Sequence, residues 1–172
     1  MNHRTLNPIL YILNKKAGGK NLDEMNDPRF VQLLAYFKER GDHYVVVDAK
    51  IEEELNEFEG EEKKMFAEEL GVTRDGIDDL IVAAYDLLGL ATFLTTGEDE
   101  TRAWTIKKMS TAPVAGMAIH NDFKEKFIRA EVINWQTLLD AGSYGAAREK
   151  GLVRTEGKEY VVQDGDVIEF RI

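Results

Sequence analysis

The chain has 172 residues, a length that allows one or two folded domains, each with its own core. Its formal net charge is −10, which argues against the wrapping of nucleic acid around the whole surface. Cysteine is absent, which excludes disulfides and thiolate chemistry, and no apolar run is long enough to span a membrane. The first residues also lack the apolar stretch of a secretion signal, so we expect a cytoplasmic protein without membrane association.

The first half of the chain predicts alternating strands and helices. The apolar runs at 8–13 and 44–47 are typical of strands buried on both faces, as in a parallel sheet. Between them, Asp27 and Pro28 predict the start of a helix that ends before Gly41. Further helices are expected over 51–58, 61–70 and 77–88, the first of them with a solvated acidic face that includes Glu52. This order predicts a parallel sheet with crossover helices.

A change of pattern near Gly89 indicates a second domain, which we place at residues 89–172 after a first domain at 1–88. Strand patterns at 90–95 and 101–106 flank a polar turn and predict a hairpin. Further strands are expected over 127–133 and 167–172, short helices over 113–119, 135–141 and 143–150, and a pairing of 154–155 with 159–162.

The charge is unevenly divided between the two halves of the chain. Residues 1–90 carry 11 basic and 19 acidic side chains, and residues 91–172 carry 11 and 13.

Catalytic and metal-binding patterns are weak. His120 and Asp122 lie two residues apart on a segment that we expect to be extended, so that both side chains point the same way. No serine or cysteine nucleophile accompanies them, and a structural or RNA-contacting role for His120 is the better interpretation. His3, His43 and His120 lie in unrelated segments. We therefore predict neither a catalytic residue nor a metal site.

Several short motifs in the second half of the chain follow one another at fixed spacings. They are FLTTG at 93–97, RAWT at 102–105, IHNDF at 119–123, FIRAEV at 127–132 and VVQDGD at 161–166. Through them the chain resembles the C-terminal half of a YchF-type GTPase/ATPase, a branch of the Obg-related P-loop NTPases. The resemblance implies that residues 89–172 form a TGS domain. That domain has an α+β fold of the β-grasp, ubiquitin-like type and is generally taken to bind RNA or the ribosome.

The same resemblance implies that residues 1–88 are the C-terminal part of a G domain, an α/β, Rossmann-like segment of a P-loop NTPase. The strand at 10–14 would deliver the base-recognition motif, which reads Asn-x-x-Glu in the family and NKKA at 14–17 here. The DAK sequence at 48–50 lies where the family has Ser-Ala-Lys, the loop that touches the base from its other side. In an intact parent protein the residues contacting the base would be Asn14, Lys15, Asp48, Ala49 and Lys50.

The phosphate-binding loop of that family is absent from this sequence. No Gly-x-x-x-x-Gly-Lys-Ser/Thr motif occurs, so the chain alone should neither hold phosphates tightly nor hydrolyse them. We expect nucleotide and Mg²⁺ to be cofactors of the intact parent and no cofactor in this chain. A fragment of a longer protein and a diverged relative are both compatible with that absence.

Basic residues of the second domain predict a face that docks on the ribosome or on structured RNA. The candidates are Arg102, Lys107, Lys108, His120, Lys124, Lys126, Arg129, Arg154 and Lys158. Acidic residues lie among them, so an ordinary solvated surface is the alternative interpretation. A protein-interaction module is another, since ubiquitin-like folds often bind proteins through one sheet face. A further alternative is a part of an NTPase that supplies the base-recognition loops.

Two expectations concern packing. Trp104 and Trp135 are predicted to anchor the core, with Arg102 at the rim of Trp104 on the same strand face. A partial sheet in residues 1–88 would expose an edge and an apolar face. We therefore expect this segment to be partly disordered, to repack, or to form a homodimer through the exposed sheet edge.

Overall fold

The computed structural model describes residues 8–16, 19–25, 27–70, 72, 76–97 and 100–172. The chain divides into two compact units, Met1–Leu88 and Gly89–Ile172. Within the described residues, the first unit contains a two-stranded sheet and the second a five-stranded sheet. No described helix is both long enough and apolar enough to cross a membrane.

A parallel pair of strands forms the centre of the first unit. β1 (Leu10–Asn14) pairs with β2 (His43–Val47), and α1 (Pro28–Arg40) connects them. The side chain of Asp27 accepts a hydrogen bond from the first turn of α1, which satisfies a backbone donor that the helix itself leaves unpaired. Gly41 ends the helix in the left-handed region, with φ of 68°. Both ends of α1 therefore follow from local sequence signals.

Three further helices follow β2. They are α2 (Ala49–Leu55), α3 (Gly60–Glu69) and α4 (Gly76–Leu88). α2 begins earlier than residue 51 because the carboxylate of Asp48 accepts the backbone N–H groups of Lys50 and Ile51, each at 3.2 Å. Residue 71, which the pattern marks as the end of α3, lies outside the described residues.

Aromatic packing holds α1 on the sheet of the first unit. Phe37 is buried, and its ring centroid lies 4.8 Å from that of Tyr11 on β1 and 5.4 Å from that of Tyr44 on β2. α4 packs against the opposite face of β2, where Val45 is buried. Ile12 of β1 is 54% exposed, so the prediction of a strand buried on both faces is wrong. α4 packs mainly against β2, so the face of β1 that carries Ile12 is less well covered.

The second unit is built on a mixed sheet crossed by helices. Its strands are β3 (Leu90–Thr96), β4 (Thr101–Lys107), β5 (Arg129–Asn134), β6 (Arg154–Glu156) and β7 (Asp166–Arg171). They lie in the order β4-β3-β7-β5-β6, in which β3 and β7 are parallel and the other neighbours are antiparallel. The predicted hairpin of β3 and β4 is confirmed, and the whole arrangement is compatible with a β-grasp-like domain.

β6 pairs with β5 and not with residues 159–162, so that prediction is wrong. Val132 of β5 lies opposite Arg154 of β6. Val161 instead forms a bridge with Thr111. A three-residue strand such as β6 carries little pairing information of its own, and contacts distant in sequence decide its neighbour.

Helices cover both faces of this sheet. They are α5 (Ala112–Gly116), α6 (Asp122–Glu125), α7 (Trp135–Ala141) and α8 (Tyr144–Glu149). On one face the core surrounds Phe93, which is fully buried and meets the ring of Phe170 edge-on at 5.8 Å. On the other face Ala147 of α8 packs with Ile133 and Val167. The two faces thus form separate apolar clusters.

The two tryptophans differ in burial. Trp104 is half-buried, and its Nε1–H donates to Thr95 Oγ1 at 2.9 Å. The guanidinium of Arg102 lies 4.3 Å from its ring centroid, as the strand pattern predicts. Trp135 is 45% exposed, so its predicted role as a core anchor is wrong. It begins α7 and lies over Gly165, where a Cβ atom would come within 2.6 Å of the indole.

Candidate functional site

The loops that follow β1 and β2 lie side by side. Because these strands are parallel, their carboxyl ends face the same edge, which is where open α/β sheets bind ligands. The side-chain oxygen of Asn14 accepts a hydrogen bond from the backbone N–H of Ala49 at 3.0 Å. The backbone N–H of Lys15 donates to the carbonyl of Val47 at 2.7 Å. These two bonds bring the predicted base-contact loops together.

Lys15 and Lys50 engage carboxylates in this region. The ammonium group of Lys15 lies 2.8 Å from Glu24 and 2.9 Å from Asp23. The hydrogen bond to Glu24, followed by that to Asp23, holds the pKa of Lys15 above its ordinary value. Lys50 is exposed and lies 3.7 Å from Glu54. Residue 17, where the family has its glutamate, lies outside the described residues.

A cavity of about 350 Å³ opens beside these loops. Its volume would accommodate a nucleotide base. Its charged lining consists of Lys15, Asp23, Glu24, Asp48, Glu52 and Asp79. One lysine among these carboxylates gives a negative local potential, which opposes the entry of phosphate groups.

Glu52 is buried, which the sequence does not predict. It is 7% exposed, and its Oε1 accepts a hydrogen bond from the backbone N–H of Gly76 at 2.6 Å. The bond ties α2 to the first residue of α4. The expectation that Glu52 lies on a solvated acidic face is therefore wrong, because the glutamate satisfies a helix N-terminus from a distant element.

Acidic neighbours engage several of the predicted RNA-contacting residues in the second unit. The ammonium group of Lys126 lies 2.6 Å from the carboxylate of Asp122, and the Nδ1 of His120 lies 3.5 Å from it. Arg129 lies 3.9 Å from Glu131. Lys126 and Arg129 therefore belong to local ion pairs, which reduces the positive potential that they present to a polyanion.

His120 lies in the short connection between α5 and α6, where Asn121 already has helical backbone angles, so the expectation of an extended segment is wrong. Asp122 begins α6, and its backbone N–H donates to the Nδ1 of His120 at 3.2 Å. Lys126 lowers the pKa of Asp122 through its hydrogen bond, with His120 a smaller contribution. No group of three or more His, Asp and Glu side chains in the described part of the chain could hold a metal ion.

Arg154 belongs to a partly buried hydrogen-bond network. Its guanidinium donates to the hydroxyl of Tyr160 at 3.0 Å, and that hydroxyl donates to Asp166 at 2.7 Å. Asp166 is 2% exposed and also accepts the backbone N–H of Gln163 at 2.8 Å. Burial, and then the bond to Asp166, raise the pKa of Tyr160. These contacts indicate a structural role for Arg154.

One stretch of the sequence of the second unit contains no carboxylate side chain. Residues 101–121 contain no Asp or Glu, although the chain as a whole has a net charge of −10. The stretch contains Arg102, Lys107 and Lys108, which lie on β4 or directly after it, and we call these three residues the basic edge. Arg102 forms no ion pair with any described residue and stacks on Trp104.

β4 lies at the edge of the sheet and has β3 as its only neighbouring strand in the described part of the chain. The backbone N–H of Lys108 donates to the carbonyl of Gly89 at 2.8 Å, so these two residues form a hydrogen-bonded pair. In an antiparallel hairpin every second residue pair is hydrogen-bonded, and the pairs between them direct their backbone groups outward. The backbone groups of Thr101 and Ala103 therefore point away from β3. Lys124 and Lys158 are exposed but lie beyond this stretch, next to Glu125 and Glu159 in the sequence.

The network around Asp166 gives a stability prediction. Replacing Tyr160 with Phe removes the donor to a buried carboxylate and should lower the free energy of unfolding by about 1–3 kcal/mol. Urea unfolding followed by tryptophan fluorescence measures this, because both tryptophans lie in the second unit.

Tyr144→Phe is the matched control. The hydroxyl of Tyr144 is buried and forms no hydrogen bond with the described residues, so its removal should be neutral or stabilising. Equal destabilisation by the two substitutions would contradict a specific role for the Tyr160–Asp166 bond.

A family model and several known proteins are similar to this chain. The YchF-GTPase_C model, described as a protein of unknown function (DUF933), matches residues 90–172. The ribosome-binding ATPase YchF of Bacillus subtilis is 51% identical over 171 residues, which cover 97% of this chain and 45% of that protein. The ribosome-binding ATPase YchF of Haemophilus influenzae is 41% identical over 170 residues, which cover 99% and 46%.

The structural comparison gives a similar match. The structure of the Schizosaccharomyces pombe YchF GTPase is similar with a TM-score of 0.77 and 32% identity, covering 95% of this chain and 43% of that chain. The chain thus spans a little under half the length of the curated relatives that it matches.

Proposed function

Because this chain belongs to the YchF family and matches its C-terminal part, we propose that its second unit docks on the ribosome through the basic edge. The observation that carries the proposal is the stretch at 101–121, where three cations occur without a single carboxylate. Relatives described as ribosome-binding ATPases cover nearly the whole of this chain, which supports the ribosome as the partner.

We assign the second unit, Gly89–Ile172, as a TGS domain of the β-grasp type. The parallel pairing of its first and last strands in the centre of a mixed sheet supports this assignment. The family model begins at residue 90, one residue after the unit begins. A rigid sheet edge suits RNA docking because the lysine and arginine positions are held in place before binding.

Electrostatics would orient the docked chain. Lysine and arginine contacts to phosphates release counterions, so affinity depends steeply on salt. The net charge of residues 1–90 is −8 and that of residues 91–172 is −2. Acidic surfaces are repelled by ribosomal RNA, which favours approach by the part of the chain that lacks carboxylates.

Reversal of charge at the basic edge tests the proposal. The double substitution Lys107→Glu and Lys108→Glu should weaken binding to purified bacterial ribosomes at low salt by about 10-fold or more. The slope of the logarithm of affinity against the logarithm of salt concentration should also become shallower, by roughly 0.7–0.9 for each phosphate contact that is lost.

The matched control is Lys38→Glu with Lys64→Glu, which makes the same charge change in the first unit. This control should bind like the unmodified chain. Absence of ribosome binding by the unmodified chain at low salt would contradict the proposal. Binding that survives high salt and nuclease would instead favour a protein-interaction module.

We propose that the first unit is the C-terminal part of a G domain and, within a longer YchF protein, supplies one side of a nucleotide-base pocket. The hydrogen bond between Asn14 and Ala49 supports this, because it holds together the two loops at the carboxyl end of a parallel sheet. Phosphate and Mg²⁺ contacts would come from elements that this sequence does not contain. The chain alone would then bind no nucleotide and catalyse no hydrolysis.

Nucleotide titration tests that assignment. Equilibrium dialysis of the chain with ATP or GTP in the presence of Mg²⁺ should detect no binding at micromolar nucleotide, because the acidic cavity repels phosphates. A micromolar Kd that Asn14→Ala abolishes would contradict this expectation. It would support an enzyme in which this chain forms an active nucleotide site.

The edge of β1 that pairs with no described strand supports a homodimer through the first unit. Ile9 and Ile12 are 49% and 54% exposed, and β1 pairs only with β2 in the described part of the chain. An unpaired apolar strand edge favours pairing with another strand. Sedimentation velocity should show a dimer that increases with concentration and that Ile12→Lys abolishes. A monomer at all concentrations would contradict this, and the missing part of a longer chain would then be the occupant of the edge.

A further inference from the structure

Met109 has a backbone conformation that is unusual for its side chain. Its φ is 66°, and among the described residues it is the only one other than glycine with positive φ. The left-handed region carries a steric cost for residues with a Cβ atom, and such strain is concentrated at functional sites. Met109 is also 78% exposed, the highest value among the large apolar side chains of the described chain.

The turn that carries Met109 is fixed on both sides. The backbone N–H of Ser110 donates to the carbonyl of Lys107 at 3.2 Å, which closes the turn. The carbonyl of Ser110 accepts the backbone N–H of Val162 at 3.0 Å, and Lys108 bonds to Gly89 on the other side. A rigid turn therefore presents an apolar thioether to solvent directly after two lysines.

We propose that Met109 is an apolar anchor that packs against an exposed base of ribosomal RNA while Lys107 and Lys108 contact neighbouring phosphates. The inference rests on the proposed docking function and names the residue that adds a contact independent of charge. A polarisable thioether packs favourably on aromatic rings, and methionine is among the apolar side chains that wedge between bases. Unstacked bases in RNA loops and bulges offer such faces.

The sequence on both sides of Met109 favours RNA over an apolar groove on a protein as the partner. No carboxylate occurs between residues 101 and 121, so nothing in this stretch would repel a phosphate backbone. The two lysines that precede Met109 in the sequence supply positive charge close to it for the phosphates that flank an unstacked base. A partner protein would have to be strongly acidic to match this charge.

Met109→Gly removes the proposed contact without destabilising the fold, so its effect on binding can be measured separately from stability. Glycine adopts positive φ without the steric cost, so the urea midpoint of unfolding should stay the same or rise. Affinity for purified bacterial ribosomes should fall by about 5- to 10-fold, in the range of losing one base contact. The loss should be the same at every salt concentration, because the contact is apolar. Met109→Leu should retain most of the affinity.

Methionine oxidation gives a second readout without substitution. Dilute peroxide should convert Met109 to its sulfoxide rapidly in the free chain and slowly when ribosomes are bound. Met65 lies in the first unit and is 62% exposed, so it serves as the internal control whose oxidation rate should not change.

The outcomes separate the anchor from the docking function. If Lys107→Glu with Lys108→Glu abolishes binding but Met109→Gly binds normally, docking stands and the anchor is overturned. If the unmodified chain does not bind ribosomes at all, both are overturned. If Met109→Gly weakens binding to ribosomes but not to protein-free ribosomal RNA, the contact is to a ribosomal protein and the RNA assignment is overturned. If Met109→Gly weakens binding to ribosomes and to protein-free ribosomal RNA equally, the result supports the anchor.

Discussion

The parallel pairing of β3 with β7 is the constraint on which the second unit depends. Leu94 lies opposite Val167, the backbone N–H of Gly165 donates to the carbonyl of Thr92 at 2.8 Å, and Thr92 donates to the side chain of Asp164 at 2.7 Å. These contacts join the first and last strands of the unit in the centre of the sheet. The antiparallel partner of β3 in the hairpin, β4, therefore lies on the outer side of β3, where it is an edge strand that places the basic edge at the surface.

Aromatic packing stabilises that central pairing against the entropy of closing a long loop. The ring of Phe170 on β7 meets Phe93, Phe123 and Phe127 edge-on, with centroids 5.6 to 6.3 Å apart. Pairs of this kind contribute about 0.5–1.5 kcal/mol each beyond the burial of their surface. The result is a sheet whose edge is held in position, so binding would cost little conformational entropy.

Local sequence signals predict the elements, whereas contacts distant in sequence decide pairing and burial. Asp27 and Gly41 mark both ends of α1 because caps are local chemistry. Glu52 is buried because it accepts a hydrogen bond from Gly76, which is distant in sequence, and the exposure of Trp135 depends on where α7 lies. Neither the burial of Glu52 nor the exposure of Trp135 can therefore be predicted from the neighbouring sequence. The same division holds for the site. The absence of carboxylates at 101–121 is visible in the sequence, but the network that joins Arg154 to Tyr160 and the buried Asp166 is not.

The proposed docking depends on one physical claim, that the edge strand β4, in a stretch of sequence without carboxylates, binds ribosomal RNA although the chain as a whole is acidic. Amide hydrogen exchange of the chain, alone and with saturating ribosomes, tests it most directly. The amides of Thr101 and Ala103 point away from β3 and should exchange rapidly in the free chain. We expect bound ribosomes to slow amide exchange at residues 101–110. Protection confined to α7 and α8, or no protection anywhere in the second unit, would contradict it.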